Sequence, residues 1–270
     1  VQVADDEAEI ERQIRGPAQG YSGLYTDDLA GQVLHDGMVK VARATWLAYF
    51  NPKKVWNRVP EARARASTGR APIGVRWVDV NKGDDLHPNY RSRLVARQLE
   101  ATDTSGKSYF APAPPLEALR TVISMAMTKA GSHRPDWSPE SENRVQISLV
   151  DIKRAYFNAR IDPSEPETFA QLPPEDPEHE SMCGLLLRHM YGTRAAADGW
   201  HEEYSTVMVR LGFVQGDASR NVFRHYERRI ATSVHGDDFT SSGPKPALDW
   251  LEESLAEHYE LTIAPRMGPG

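Results

Sequence analysis

Val145-Gln-Ile-Ser-Leu-Val-Asp151 is a strand-like run that ends on an acid, and Ser233-Val-His-Gly-Asp-Asp-Phe239 places a carboxylate doublet behind a glycine. Two apolar strands that deliver Asp151, Asp237 and Asp238 to one place supply what a two-metal phosphoryl-transfer site needs. Two divalent cations about 3.5–4 Å apart require several anionic oxygens converging on one point. Hard cations such as Mg²⁺ take carboxylate, water and phosphate ligands. Asp is also a common turn residue because of its local hydrogen bonds, so the doublet alone says little. Its surroundings decide.

Around those two stretches the pattern after Arg144 is strand, loop, strand, helix, strand, turn, strand, helix. Leu185–Arg188, Asn221–Tyr226, Ile230–His235 and Phe239–Ser242 read as strands, and Gly236 supplies the positive φ of a tight hairpin turn. Pro163–Glu180 reads as an acidic surface loop. Ala196–Leu211 carries Ala196, Trp200, Tyr204, Val207, Met208 and Leu211 on one stripe, a core pattern more than a stacking site. Ala247–Tyr259 closes the run as an amphipathic helix. The fold class expected is α+β, an antiparallel sheet with helices on one face and the three aspartates on the open face.

Upstream, Met38–Phe50 has helical spacing through Val41, Ala44, Trp46, Leu47 and Phe50, with Pro52 ending it. Glu61–Arg70 reads as an Ala/Arg-rich loop. Ile73–Val80 and Tyr90–Arg97 make a hairpin across Asn81–Asp85, with Arg91 and Arg93 on one face of its second strand. A Pro-rich break at Ala111–Pro115 precedes a helix over Leu116–Thr128, and Gly131–Asn143 reads as a loop. Three divisions follow: a partly disordered linker over 1–37 with a short helical pattern at Asp6–Ile14, a unit over 38–143, and a unit over 144–270.

A hydrophobic fraction of 40% and a charged fraction of 26% suit a chain that buries an ordinary core. No apolar run is long enough to span a membrane, and no signal peptide is visible. A single cysteine, Cys183, forbids an internal disulfide or a Cys-based zinc site and reads as a buried thiol. The net charge of −6 is segregated: residues 40–97 hold 13 Lys/Arg against four acids, leaving +9 there and −15 elsewhere. Such a segment reads either as a phosphate-binding surface or as a solvated basic face. The start without Met and the turn-like Pro-Arg-Met-Gly-Pro-Gly270 read as a piece cut from a longer polypeptide.

The sequence resembles the reverse transcriptase domain of Copia-type LTR retrotransposon polyproteins over residues 38–270. Ser148-Leu-Val-Asp-Ile-Lys-Arg-Ala-Tyr-Phe-Asn158 resembles the first catalytic motif and Val234-His-Gly-Asp-Asp-Phe239 the second. Supporting matches are Tyr90–Arg97, Tyr109-Phe-Ala-Pro112, Met190-Tyr-Gly192 with Trp200 after it, and Leu211-Gly-Phe213 before Asp217. The resemblance implies a right-handed polymerase fold with fingers over 38–143, a palm over 144–270 and the thumb missing. It implies an RNA-directed DNA polymerase, a nucleotidyltransferase that uses two Mg²⁺ or Mn²⁺ ions. Asp151 and Asp237 stand at the metal-binding positions and Asp238 at the accessory one. Arg91, Arg93 and Arg194 stand at nucleotide-binding positions, and Tyr156 at the residue that screens the sugar 2′-position. The partners implied are an RNA or DNA template with its primer, dNTP, and the remainder of the polyprotein with its thumb and RNase H. The location implied is cytoplasmic particles or the nucleus.

The chain departs from that pattern at two places. His235-Gly236-Asp237-Asp238 stands where an aromatic-X-Asp-Asp is usual, and Ala195-Ala196-Ala197 where Gln-Ala-Pro is usual. The rival reading is therefore a decayed, inactive remnant of the same fold, acting at most as a nucleic-acid or protein interaction module through its basic segment.

Overall fold

The computed structural model describes residues 25–84, 86–98, 114–127 and 144–268. In chain order these form β1 (Tyr25–Thr26), β2 (Val33–Leu34), α1 (Asp36–Lys53), β3 (Trp56–Pro60), α2 (Glu61–Thr68), β4 (Val75–Asn81) and β5 (Tyr90–Ala96). There follow α3 (Leu116–Met127), β6 (Val145–Ile152), β7 (Phe169–Gln171), β8 (Met182–Leu186), α4 (Ala196–Arg210) and β9 (Val214–Gln215). The chain closes with β10 (Val222–His225), β11 (Ile230–His235), β12 (Asp238–Pro244), α5 (Lys245–His258) and β13 (Leu261–Ile263). The fold class is mixed α and β, with antiparallel strand pairing in every sheet.

The chain gathers into two compact units, Val1–Tyr109 with Ala159–Gly199, and Phe110–Asn158 with Trp200–Gly270. They interleave instead of meeting once near residue 143. The cause is strand pairing: β3 pairs with β8 from Trp56↔Leu186 to Pro60↔Met182, which carries the 159–199 stretch into the first unit.

In the first unit β4 and β5 form the expected hairpin, in register from Val75↔Ala96 to Asn81↔Tyr90. Helix α1 packs on β5. Its buried stripe is Val39, Arg43, Trp46 and Phe50: Trp46 and Phe50 are as the sequence reading has them, but Val39 and Arg43 replace Val41, which is 67% exposed, and Ala44. An arginine among its members hides the stripe from a pattern of apolar residues. Pro52 lies inside the last turn, and the helix stops at Lys54 in the left-handed conformation. Residues 61–68 are a helix, not a loop, since Ala and Arg are good helix formers and Gly69 accepts the left-handed end. The acidic 163–180 stretch contains β7, whose Phe169 and Ala170 are buried beside β8. Residues 25–34, placed in the linker by the sequence reading, form the β1–β2 ribbon, with Tyr25 and Leu34 buried against Val39. Residues 1–24, with the helical pattern at 6–14, and the 131–143 loop lie outside the described residues.

The second unit is built on a six-stranded sheet of order β13-β6-β12-β11-β10-β9. One face carries Val150, Ile152, Phe239 and Val234, which share a core with Trp200, Tyr204, Val207 and Met208 of α4 and Leu248, Leu251 and Leu255 of α5. Alternation points Ile147 and its partner Ser242 to the opposite face, yet both are almost fully buried. Helix α3, which packs against β6, β11 and β12, covers that second face. The sequence expectation of helices on one face is corrected accordingly. Asp151 and Asp238 stand exposed at one end of the sheet.

Candidate active site

Asp151 sits directly opposite Asp238, the pair that ends the β6–β12 ladder. Cross-strand partners point to the same face, so the two carboxylates share one side of the sheet. Their Cα atoms lie roughly 4.5–5.5 Å apart, as any paired residues do. Both side chains are exposed. His235 faces Asp238 on the other neighbour, β11, and Thr262 faces Asp151 from β13. Gly236 and Asp237 are the two turn residues between β11 and β12, and only Gly236 has a positive φ, 59°. That pattern belongs to a II′ hairpin turn, which needs glycine at its first central position. The three aspartates predicted from sequence therefore come to one end of one sheet.

The turn is tied on two sides. Ile152 donates its backbone N–H to the carbonyl of Asp237 at 2.9 Å, and the Trp200 indole N–H donates to the carbonyl of Gly236 at 2.8 Å. Beyond Asp151 the chain reverses sharply: Arg154 takes a φ of 51°, and a short 3-10 turn over Ala155–Asn158 follows. Lys153 holds that reversal through its Nζ bond to Glu260 at 2.9 Å, and its N–H donates to the Glu260 carbonyl. Tyr156, in the 3-10 turn, is half-buried and packs against the sheet core.

The donor chemistry of this end fits hard divalent cations. It offers carboxylate oxygens from Asp151 and Asp238 on paired positions of one face, with Asp237 in the adjoining turn. Among the described residues, no three His, Cys, Asp or Glu side chains already converge into a group that could hold a metal ion. Side-chain rotation from these backbone positions is what closing such a group would require.

The predicted nucleotide-binding cations lie in the first unit. Arg91 and Arg93 are exposed on β5, two residues apart and so on one face. The Arg93 guanidinium stands 5.7 Å from the centre of the Tyr191 ring, which in turn lies 5.9 Å from Trp46. Arg194 is half-buried, and its backbone N–H donates to the Gln98 side chain at 3.0 Å. The segment Tyr191-Gly192 docks on the end of β5 through Ala96 N–H to the Tyr191 carbonyl (2.7 Å) and Gln98 N–H to the Gly192 carbonyl (3.2 Å).

Much of the basic 40–97 segment is not a phosphate-binding surface. Arg43 is 5% exposed, with its guanidinium on Asp79 and Glu175 and over the rings of Tyr25 and Trp77. Burial works against its charge, but Asp79 and Glu175 outweigh it and push the guanidinium further up. Arg76 is buried on Asp28, whose carboxyl is raised by burial against the opposing pull of the Asp79 N–H and Arg76. Arg58 pairs with Asp176, Arg63 with Glu167 and Arg65 with Glu61. Cys183 is buried, as expected. Sequence reasoning missed Arg43 and the tether from Trp200. An arginine in a helical stripe among Val39, Trp46 and Phe50 was the available signal for the first; nothing local signals the second.

A family model described as reverse transcriptase (RNA-dependent DNA polymerase) matches residues 54–266. The chain is also similar to the "Retrovirus-related Pol polyprotein from transposon RE2" of Arabidopsis thaliana, with 24% identity over 272 residues. That match takes in 92% of this chain and 17% of the polyprotein, so the chain spans about a sixth of its relative's length.

Proposed function

Because the chain belongs to the reverse transcriptase (RNA-dependent DNA polymerase) family, we propose that it carries the nucleotidyl-transfer site of an RNA-directed DNA polymerase from a Copia-type retrotransposon polyprotein. The observation that carries this reading is the register that sets Asp151 opposite Asp238, with Asp237 in the turn between β11 and β12. On this reading the six-stranded sheet is the palm and the β4–β5 unit belongs to the fingers.

The reaction joins a primer 3′-hydroxyl oxygen to the α-phosphorus of a dNTP, breaks the α–β phosphate bond and releases pyrophosphate. Asp151, Asp237 and Asp238 would hold two divalent ions, Mg²⁺ or Mn²⁺. Bound there, those ions supply the charge that lowers the pKa of the hydroxyl and offsets the charge growing on the phosphate. Arg91, Arg93 and Arg194 take the triphosphate, since a guanidinium binds phosphate oxygens through paired N–H donors. Tyr156 discriminates the sugar at its 2′-position. The template–primer duplex is gripped by its backbone, not by its sequence. The rest of the work is positioning, which is where such enzymes gain most of their rate.

The test is primer extension on an RNA template with Mg²⁺ or Mn²⁺, run beside metal-dependent dNTP binding. Asp151→Asn and Asp238→Asn should each lower extension by at least about a hundredfold, the scale of losing one preorganised charge. Tyr156→Val should raise ribonucleotide incorporation. Metal-independent dNTP binding, unaffected by Asp151→Asn, would sink the polymerase reading and leave the interaction-module rival standing.

A further inference from the structure

We propose that Trp200 is a positioning residue for the acidic turn, holding Asp237 in the orientation the site requires through one hydrogen bond to the backbone. The inference rests on the functional reading above.

The peptide groups on both sides of the Asp237 Cα have their carbonyl oxygens bonded. The preceding carbonyl, of Gly236, accepts from Trp200 Nε1 at 2.8 Å, and its own carbonyl accepts from the N–H of Ile152 at 2.9 Å. Fixing both peptide planes fixes φ and ψ of the residue between them, and hence the direction in which its carboxylate leaves the chain. Ile152 follows Asp151, so the second bond couples the turn to the strand that delivers the opposing acid. The first bond has a different origin: it reaches the turn from a helix outside the sheet.

Glycine at 236 makes that anchor necessary. With no Cβ, and with nothing within 4 Å of where one would stand, Gly236 has no side-chain packing to hold its peptide plane. The Trp200 ring, by contrast, has little freedom. It is 2% exposed and wedged edge-on between Tyr204, at 5.4 Å between ring centres, and Tyr259, at 5.2 Å. An indole held on two sides aims its single N–H in one direction. A buried Trp N–H ordinarily finds an acceptor; here the acceptor belongs to the turn that carries the acids.

The experiment measures Mn²⁺ affinity by electron paramagnetic resonance on the full chain, together with thermal melting and, where extension is measurable, kcat and KM. Trp200→Phe keeps an aromatic ring and removes the donor. Trp250→Phe makes the same change in another aromatic of this core, one stacked with Phe213, edge-on to His225 and covered by the Arg228 guanidinium. Trp200→Phe should weaken Mn²⁺ binding about three- to tenfold, the worth of one hydrogen bond, and lower kcat with little change in KM. Trp250→Phe should leave both unchanged at a similar melting temperature. Should Trp200→Phe fail to fold, 3-benzothienylalanine introduced at position 200 keeps the bicyclic shape, lacks the N–H and should show the same loss of affinity. Wild-type Mn²⁺ affinity in either donor-less protein overturns the inference alone. If Asp151→Asn also leaves Mn²⁺ binding intact, the functional reading fails and this inference falls with it.

Discussion

Gly192 and Gly236 look alike in the sequence, each a glycine within a short motif, and both have positive φ, 80° and 59°. Their surroundings differ. A Cβ on Gly192 would stand 2.0 Å from the carbonyl oxygen of Ala96, backbone that cannot yield without moving β5, whereas a Cβ on Gly236 meets nothing within 4 Å. Gly236→Ala should therefore cost about 1–3 kcal/mol, the strain of an L-residue at a positive-φ turn position and nothing more. Gly192→Ala adds a clash and should cost about 2–4 kcal/mol, in the range of strain at a special backbone position. Urea unfolding of the two variants checks the order; equal losses would mean that Tyr191-Gly192 can shift on β5 without cost. The need for glycine at 236 was legible, because a two-residue turn between strands demands it. The need at 192 was not, because it depends on a strand about a hundred residues earlier.

Among the elements, α1 teaches the most. Its buried stripe of Val39, Arg43, Trp46 and Phe50 includes a guanidinium that joins the helix to Asp79 on β4 and to Glu175 in the 163–180 stretch. Asp79 also accepts from Ser92 of β5, and Trp77 donates its indole N–H to Glu175, so one cation organises four segments. Arg43→Met keeps much of the side-chain volume and leaves Asp79 buried without its counter-charge. It should destabilise by about 3–5 kcal/mol, the cost of breaking a buried pair by removing one partner. Replacing Asp79 by Leu in the same chain should recover part of that loss, which a denaturant series on the single and double variants measures. A loss below about 1 kcal/mol would show that water already reaches Asp79. The β4–β5 hairpin, α3, α4, α5 and the β10–β12 strands follow periodicity and turn residues. Helix α2 and strand β7 look like loops in the sequence because arginines and prolines outweigh helix propensity in the first and two buried residues in the second.

Across the whole molecule, the family match begins at residue 54, whereas Tyr25, Leu34 and Val39 upstream of it are already packed in a buried cluster. Upstream of residue 54, Asp27 accepts from the N–H of Asn81, Asp28 accepts from the N–H of Asp79 and pairs with Arg76, and α1 supplies Arg43 and Trp46. A chain started at residue 54 should lose these partners together, leaving buried Asp79 without Arg43 and buried Arg76 without Asp28. It should melt at least about 10 °C lower, given that roughly 1 kcal/mol moves the midpoint of a domain this size by about 2–4 °C, and should be cut by protease first in the β4–β5 hairpin. An unchanged melt would make residues 25–53 an appendage. No helix among the described residues is long and apolar enough to cross a membrane. From the sequence alone came the α and β composition, the hairpins and the arrival of Asp151, Asp237 and Asp238 at a strand end and a hairpin turn, since periodicities of 2 and 3.6 and turn chemistry are properties of neighbouring residues; the family came from the resemblance of the motifs at 148–158 and 234–239. Tertiary structure alone decided which arginines are structural ion pairs, which glycine has no room for a side chain, how the two units interleave, and where the Trp200 N–H points. Each of those depends on groups that meet in space from distant places in the chain: Arg43 and Glu175 are 132 residues apart, and Trp200 and Gly236 are 36.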